Sequence, residues 1–434
     1  MSGSPAVRQQ VIDWSFFCVT FALVCDRRNL IASSTPTSQS IPSGMPRLAS
    51  IDAYRGFVMF LMMAEVLNFC RVAEALASPG IWGFLCLQQS HVDWTGCVLH
   101  DMIQPSFSFL VGVALPFSIA NRQAKGQTFS GLVGHAAFRA LGLVLLGVWL
   151  RSTHSTQTRW TFEDTLSQIG LGYLFLFSLG FLPRKAQWAA FVGILAGYWA
   201  LFALWPLPGP DFDYARVDVS VEWLREHGLS GFAAHWQKNS NPAWAFDTWF
   251  LNLFSRVKPF VANDGGYSTL SFIPTLGTMV LGLLAGGVLR SPSIPSKKLQ
   301  WLLLAGSISL ATGWILGALG VCPIVKRIWT PSWVLFSGGW CLFLLGGFYA
   351  AIDIIQKPGW SFPLRVVGMN SIAAYLIAHL FDGFIARDLK IHLGKGIFQI
   401  FGTAYEPFLH GLAILTVYWL LLLWLHRRKI FLRL

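Results

Sequence analysis

His91-Val-Asp-Trp94-Thr-Gly96-Cys-Val-Leu-His100-Asp101-Met-Ile-Gln-Pro105-Ser-Phe107-Ser-Phe109-Leu-Val-Gly112 is the stretch on which the rest of the chain is read. A histidine and a tryptophan stand ahead of an apolar run that carries an aspartate and a proline inside it. A charge near the centre of a bilayer costs about 2.5–3.5 kcal/mol on insertion scales, so an ionisable group in such a run is read as functional by default. In a helix Pro105 removes the hydrogen bond to the Asp101 carbonyl, which gathers backbone and carboxylate polarity at one spot.

Such a run must lie in a membrane for this argument to hold, and composition says that it does. The chain has 434 residues, 54% hydrophobic and 12% charged, against about 25% charged in an average soluble domain. It reads as an all-α, polytopic transmembrane helix bundle. The formal charge of +12 is scattered in short clusters between apolar runs, as topology signals are, and no nucleic-acid partner follows from it. Seven cysteines lie in apolar segments without CxxC or His/Cys ligand spacing; they are expected to be packing residues, with neither a disulfide framework nor a metal site. No Asn-x-Ser/Thr sequon occurs, which favours a bacterial inner membrane over a glycosylated lumenal compartment.

Residues 1–46 differ from the remainder: the apolar stretch Trp14 to Cys25 is too short to span, and Arg27-Arg28 and a Ser/Thr/Pro run follow it. A disordered extension is expected there, with the membrane domain over 47–434. Ten spans follow from apolar runs of about 18–24 residues, near 54–70, 97–120, 131–150, 163–182, 187–205, 268–289, 299–320, 332–355, 363–386 and 407–425. Lys and Arg at the span ends place both termini in the cytoplasm and His91 at the outer face. The long connection 206–267, with Trp223, Trp236, Trp244 and Trp249, is expected to cap the outer end.

Several side chains could carry chemistry. Imidazole titrates near 6.5, so His91 can take and return a proton or accept an acyl group, with His100 its rival. Glu65 and Asn68 fall at the same depth and could orient that ring. Ser50 is expected to cap the first span, with Asp52 and Arg55 paired one turn apart. Ser371, Tyr375, His379 and Asp382 form a polar stripe on the ninth span, which must face protein or a wet cavity. Lys326 and Arg327 lie on the side that topology keeps poor in cations, which suggests an anionic partner at the outer mouth or neutralisation of the acidic outer loop.

These residues resemble the heparan-α-glucosaminide N-acetyltransferase family of multispan acyltransferases. The resemblance runs from about Arg47 onward. It rests on Ser50-x-Asp52-x-x-Arg55-Gly56, on His91-x-x-Trp94-x-Gly96 with Asp101, Pro105, Phe107, Phe109 and Gly112, on Pro323 to Trp329, and on Gly368-Met369-Asn370-Ser371. It implies that His91 is catalytic; its chemistry allows acyl acceptor or general base, and Asp52, Asn68 and Asp101 are the candidates for positioning it, the family's asparagine matching neither Glu65 nor Asn68 uniquely. The candidate coenzyme contacts are Arg55, Lys326, Arg327, Trp329, Asn370, Ser371 and His379, the last three expected to line the cavity or the coenzyme channel. Cytosolic acetyl-CoA is the implied donor, without a metal, and an amino sugar or envelope glycan is the implied acceptor; membrane lipid surrounds the bundle, and a homodimer is common among relatives. Where the family has Leu-Gln-Arg-Ile/Leu-Gly, this chain has Leu166-Ser167-Gln168-Ile169-Gly170 and loses the arginine. The alternative function is a proton-coupled secondary transporter of a small polar solute, which predicts broken helices in corresponding halves.

Overall fold

The computed structural model describes residues 48–432, so the expected extension over 1–46 lies outside the described residues. Fifteen α-helices follow in order: α1 Ala49–Met63, α2 Phe69–Ala75, α3 Ile81–Gln89, α4 Ile103–Ala124, α5 Phe129–Ser152, α6 Thr165–Leu179, α7 Arg184–Ala203 and α8 Val221–His227. Then come α9 Pro242–Phe250, α10 Phe272–Arg290, α11 Pro295–Ala318, α12 Pro331–Phe348, α13 Phe362–Gly368, α14 Ser371–Leu393 and α15 Glu406–Arg427.

Among the described residues eight segments are long and apolar enough to cross a membrane, nine if α13–α14, bent by 66°, is counted as one span. The tenth expected span is α6, shorter at 15 residues. In α7 and α11 only 22% of the most apolar window is buried, which leaves side chains such as Val192, Leu304 and Ile308 turned outward. The chain is an integral membrane protein.

The central helix is α10, with 83% of its window buried. Glycines set how closely α4 approaches it: a Cβ on Gly112 would overlap the Met279 carbonyl, and Cβ atoms on Gly282 and Gly286 would overlap the carbonyls of Phe109 and Val113. Small residues serve this purpose in membranes, where packing rather than expulsion of water joins helices. The start of α1 crosses α13 in the same way, Gly56 against the Leu364 carbonyl and Gly368 against the Asp52 carbonyl.

Two expectations are corrected here. Ser50 does not cap α1; Leu48 occupies the cap position with no side-chain hydrogen bond, and Ser50 is buried inside the first turn. The cysteines are not all packing residues, because Cys70 and Cys86 form a disulfide. Their 16-residue separation matches no framework spacing, so only the folding of α2 onto α3 brings them together.

The two ends of the bundle differ. At the tail end Arg122 meets His135 at 2.6 Å, Lys298 Nζ donates to the Leu289 carbonyl, and Asn370 donates to Ile430 and accepts from Leu432. At the cap end, residues 206–267 pack onto the bundle. Trp236 is fully buried and stacks on Phe202, and Trp223 meets Trp94 edge-on at 5.7 Å. Asp247 accepts from the Thr269 backbone at 2.9 Å and so ties α9 to the approach of α10. Burial pushes its carboxyl up to about 7.

Candidate active site

At its cap end α1 tightens into a 3-10 turn, Ala64–Leu67, and reverses at Asn68. Asn68 has φ +51°, a left-handed conformation that asparagine tolerates better than most residues, and its amide donates to the Val66 carbonyl at 2.6 Å. The chain then makes the α2–α3 hairpin. Gln89 clasps this hairpin to the end of α1, its Oε1 accepting from Phe69 at 3.1 Å and its Nε2 donating to Ala64 at 2.7 Å. The disulfide closes it from the other side. His91 emerges two residues later, so its backbone is anchored from both directions.

The next segment pairs with a distant turn. Gly96 donates to the Ile324 carbonyl at 3.0 Å, Thr95 forms an isolated bridge with Val325, and Trp94 Nε1 donates to the Trp236 carbonyl. That turn is braced by Thr330, which donates to Pro323 and caps α12. It delivers Lys326 and Arg327 to the site.

Asp101 is the hub. It is fully buried, as a carboxylate can be only when its oxygens are partnered. His91 Nδ1 lies 2.7 Å from Oδ1, Lys326 Nζ lies 3.0 Å from the same oxygen, and Oδ2 accepts from the backbone of Val98 and Val92. A carboxylate accepts only, so the proton of a neutral His91 sits on Nδ1 and the lone pair on Nε2. Lys326 Nζ is also 3.1 Å from Nδ1. Burial, opposed by the Asp101 hydrogen bond and aided by the Lys326 charge, holds His91 below the ordinary imidazole value. The neutral, nucleophilic form therefore prevails at neutral pH.

His91 is 40% exposed and faces a cleft of about 400 Å³ lined by Glu65, Asn68, Cys70, Arg71, Gln89, Ser90, His91 and His100. Glu65, expected to orient His91, instead meets His100 Nε2 at 2.9 Å. The rings of His91 and His100 lie 4.7 Å apart.

Of the residues singled out in the sequence, His91, Asp101, Asn68 and Lys326 come together here. The anion beside Lys326 is Asp101 of the same chain. Arg327 donates to the carbonyls of Gly265 and Val92 and lies over Tyr267, so it braces the cap. Trp329 is buried and donates to Thr278. Asp52 and Arg55 pair at 3.6 Å near the opposite end of α1, about 20 Å from Glu65 along a helix axis. Asn370 and Ser371 belong to that tail end as well. His379 stacks on Tyr375 at 4.0 Å, with Nδ1 2.9 Å from the Tyr375 carbonyl, and α14 packs on α1. Gln168 donates to the carbonyls of Phe162, Ser268 and Thr269. Among the described residues no group of three or more His, Cys, Asp or Glu is placed to hold a metal.

Sequence reasoning did not assign roles to Gln89, the disulfide or the Glu65–His100 pair. Only the shared depth of Glu65, Asn68 and His91 was readable.

No family model matches the chain. It is similar to the heparan-alpha-glucosaminide N-acetyltransferase of Homo sapiens, 23% identical over 91% of this chain and 61% of that protein. It is also similar to the enzyme of the same name from Mus musculus, 21% identical over 80% of this chain and 56% of that protein. The chain thus spans somewhat over half the length of these relatives.

Proposed function

We propose, from the homology of this chain to the heparan-alpha-glucosaminide N-acetyltransferases, that it is a transmembrane acetyltransferase acting from acetyl-CoA on an amino sugar or envelope glycan. The observation that carries this reading is the His91 ring, held through Nδ1 by buried Asp101 and lining a cleft. Nε2 serves the transfer in either of two ways. It accepts the acetyl group, a C–N bond forming as the C–S bond breaks and the thiolate leaves, or it takes the proton of an acceptor that attacks the thioester directly. Both require the tautomer that Asp101 imposes.

The coenzyme would enter from the tail end, in our reading the cytoplasmic one, where Arg122, Arg184, Lys185, Arg290, Lys297 and Lys298 lie, and where Arg55, Asn370 and Ser371 are candidate contacts. The polar stripe of α14, with His379, supports a path from there toward His91. The cap end would face outward, in a bacterial inner membrane. A disulfide at the cleft supports that side, because such bonds persist in oxidising compartments. A transporter would need broken helices in both halves; among the described residues the bent pair is α13–α14.

The test is transfer of labelled acetyl from acetyl-CoA to a panel of amino sugars and glycans, with purified protein in liposomes and His91→Ala alongside. Transfer that disappears in a folded His91→Ala is expected. Absence of transfer to any acceptor, together with no saturable acetyl-CoA binding, refutes the reading.

A further inference from the structure

The cleft holds two imidazoles, and the chemistry above uses one. Each has its own carboxylate: Asp101 holds Nδ1 of His91 at 2.7 Å, and Glu65 holds Nε2 of His100 at 2.9 Å. The rings are 4.7 Å apart at 51° and line the same space. The pairs are mirror opposites in the nitrogen they engage. Neutral His91 presents Nε2 as its lone-pair nitrogen, whereas neutral His100, with Nε2–H donated to Glu65, presents Nδ1. His100 is itself only 7% exposed, while the Glu65 side chain is 58% exposed and reaches the cleft. A helix-gluing role would not require a buried histidine and a half-open glutamate to meet beside a second His–carboxylate pair.

We propose that His100 is a second catalytic base, positioned by Glu65, and that it takes the proton of the acceptor's amine while His91 serves the acetyl group. This rests on the acetyltransferase reading and deepens it. In the transfer step the acceptor nitrogen attacks the acetyl carbonyl carbon and a C–N bond forms. The bond from that carbon to the coenzyme sulfur, or to His91 Nε2 where the acetyl has been taken up there, breaks and its electron pair leaves with the sulfur or nitrogen. The surplus N–H proton passes to Nδ1 of His100 and then to the thiolate or to solvent. Glu65 stabilises the imidazolium so formed. General-base assistance of this kind contributes roughly 10²–10⁴-fold.

The experiment uses the full chain in liposomes with acetyl-CoA and two acceptors: glucosamine, whose attack yields a surplus proton that needs a base, and hydroxylamine, a nucleophile reactive enough to dispense with one. Expected are kcat losses of about 10²–10⁴ on glucosamine for Glu65→Gln and His100→Gln, with transfer to hydroxylamine retained within a few-fold and partial recovery on glucosamine in Glu65→Asp. Where the acetyl passes through His91 Nε2, His91→Ala should lose both acceptors. Equal losses on both acceptors in a folded His100→Gln, or no loss on either, overturn the proposal. A wild type that acetylates neither acceptor overturns the acetyltransferase reading itself.

Discussion

Replacing Lys326 by methionine keeps the length of the side chain and removes a charge 3.1 Å from His91 Nδ1. Two unit charges at that separation interact by about 1.3 kcal/mol at the dielectric constant of water. The water limit is the appropriate lower bound because the His91 side chain is 40% exposed. About 1.4 kcal/mol corresponds to one pK unit, so the protonation equilibrium of His91 should shift roughly tenfold. The sign follows from the partners that remain. His91 faces Asp101, Lys326 and His100, with Glu65 behind His100. Without Lys326 the imidazolium loses a repulsion and keeps Asp101, so it holds its proton to higher pH. The acid limb of the transfer rate should therefore move up by about one pH unit, with the plateau at higher pH largely retained. Lys326→Arg, which keeps the charge, should leave the limb in place. The measurement is the initial rate of acetyl transfer against pH for the three proteins. An unmoved limb in Lys326→Met, or a loss equal at every pH, would refute an electrostatic role for Lys326 and reduce it to a packing residue.

The disulfide and the cap give two further tests. Closing a 16-residue separation is worth about 3 kcal/mol on the chain-entropy model, so Cys70→Ser with Cys86→Ser should loosen the α2–α3 hairpin, lower transfer several-fold and lower the melting temperature. Unaltered activity would show that the hairpin does not set the His91 position. Because burial raises Asp247 to about 7, the folded state binds its proton more tightly than the unfolded chain does. The stability it contributes should fall as pH rises from about 4 to 7, and Asp247→Asn should flatten that part of a melting-temperature profile; an unchanged slope would contradict this.

The alternation of long apolar runs with short basic connections determined the architecture from sequence, because a bilayer admits helices of one length and leaves backbone polarity nowhere else to go. The same logic made His91 and Asp101 legible, since both stand in one stretch where polarity is expensive. It failed where partners are far apart in the chain. Lys326 looked like a misplaced cation awaiting an external anion or neutralising the acidic outer loop, and its anion proved to be Asp101, 225 residues away. Asp52, close to Glu65 in sequence, ends about 20 Å from it because a helix rises about 1.5 Å per residue. Cys70 and Cys86 looked like packing residues, and a reversal at Asn68 followed by a short hairpin made them a pair. Sequence alone thus determined which segments are apolar and long enough to be spans, and that His91 and Asp101 stand together in one polar stretch. The tertiary structure decided which charge neutralises which, because buried ion pairs are selected by three-dimensional proximity and desolvation, and neither has a periodicity that a sequence can display.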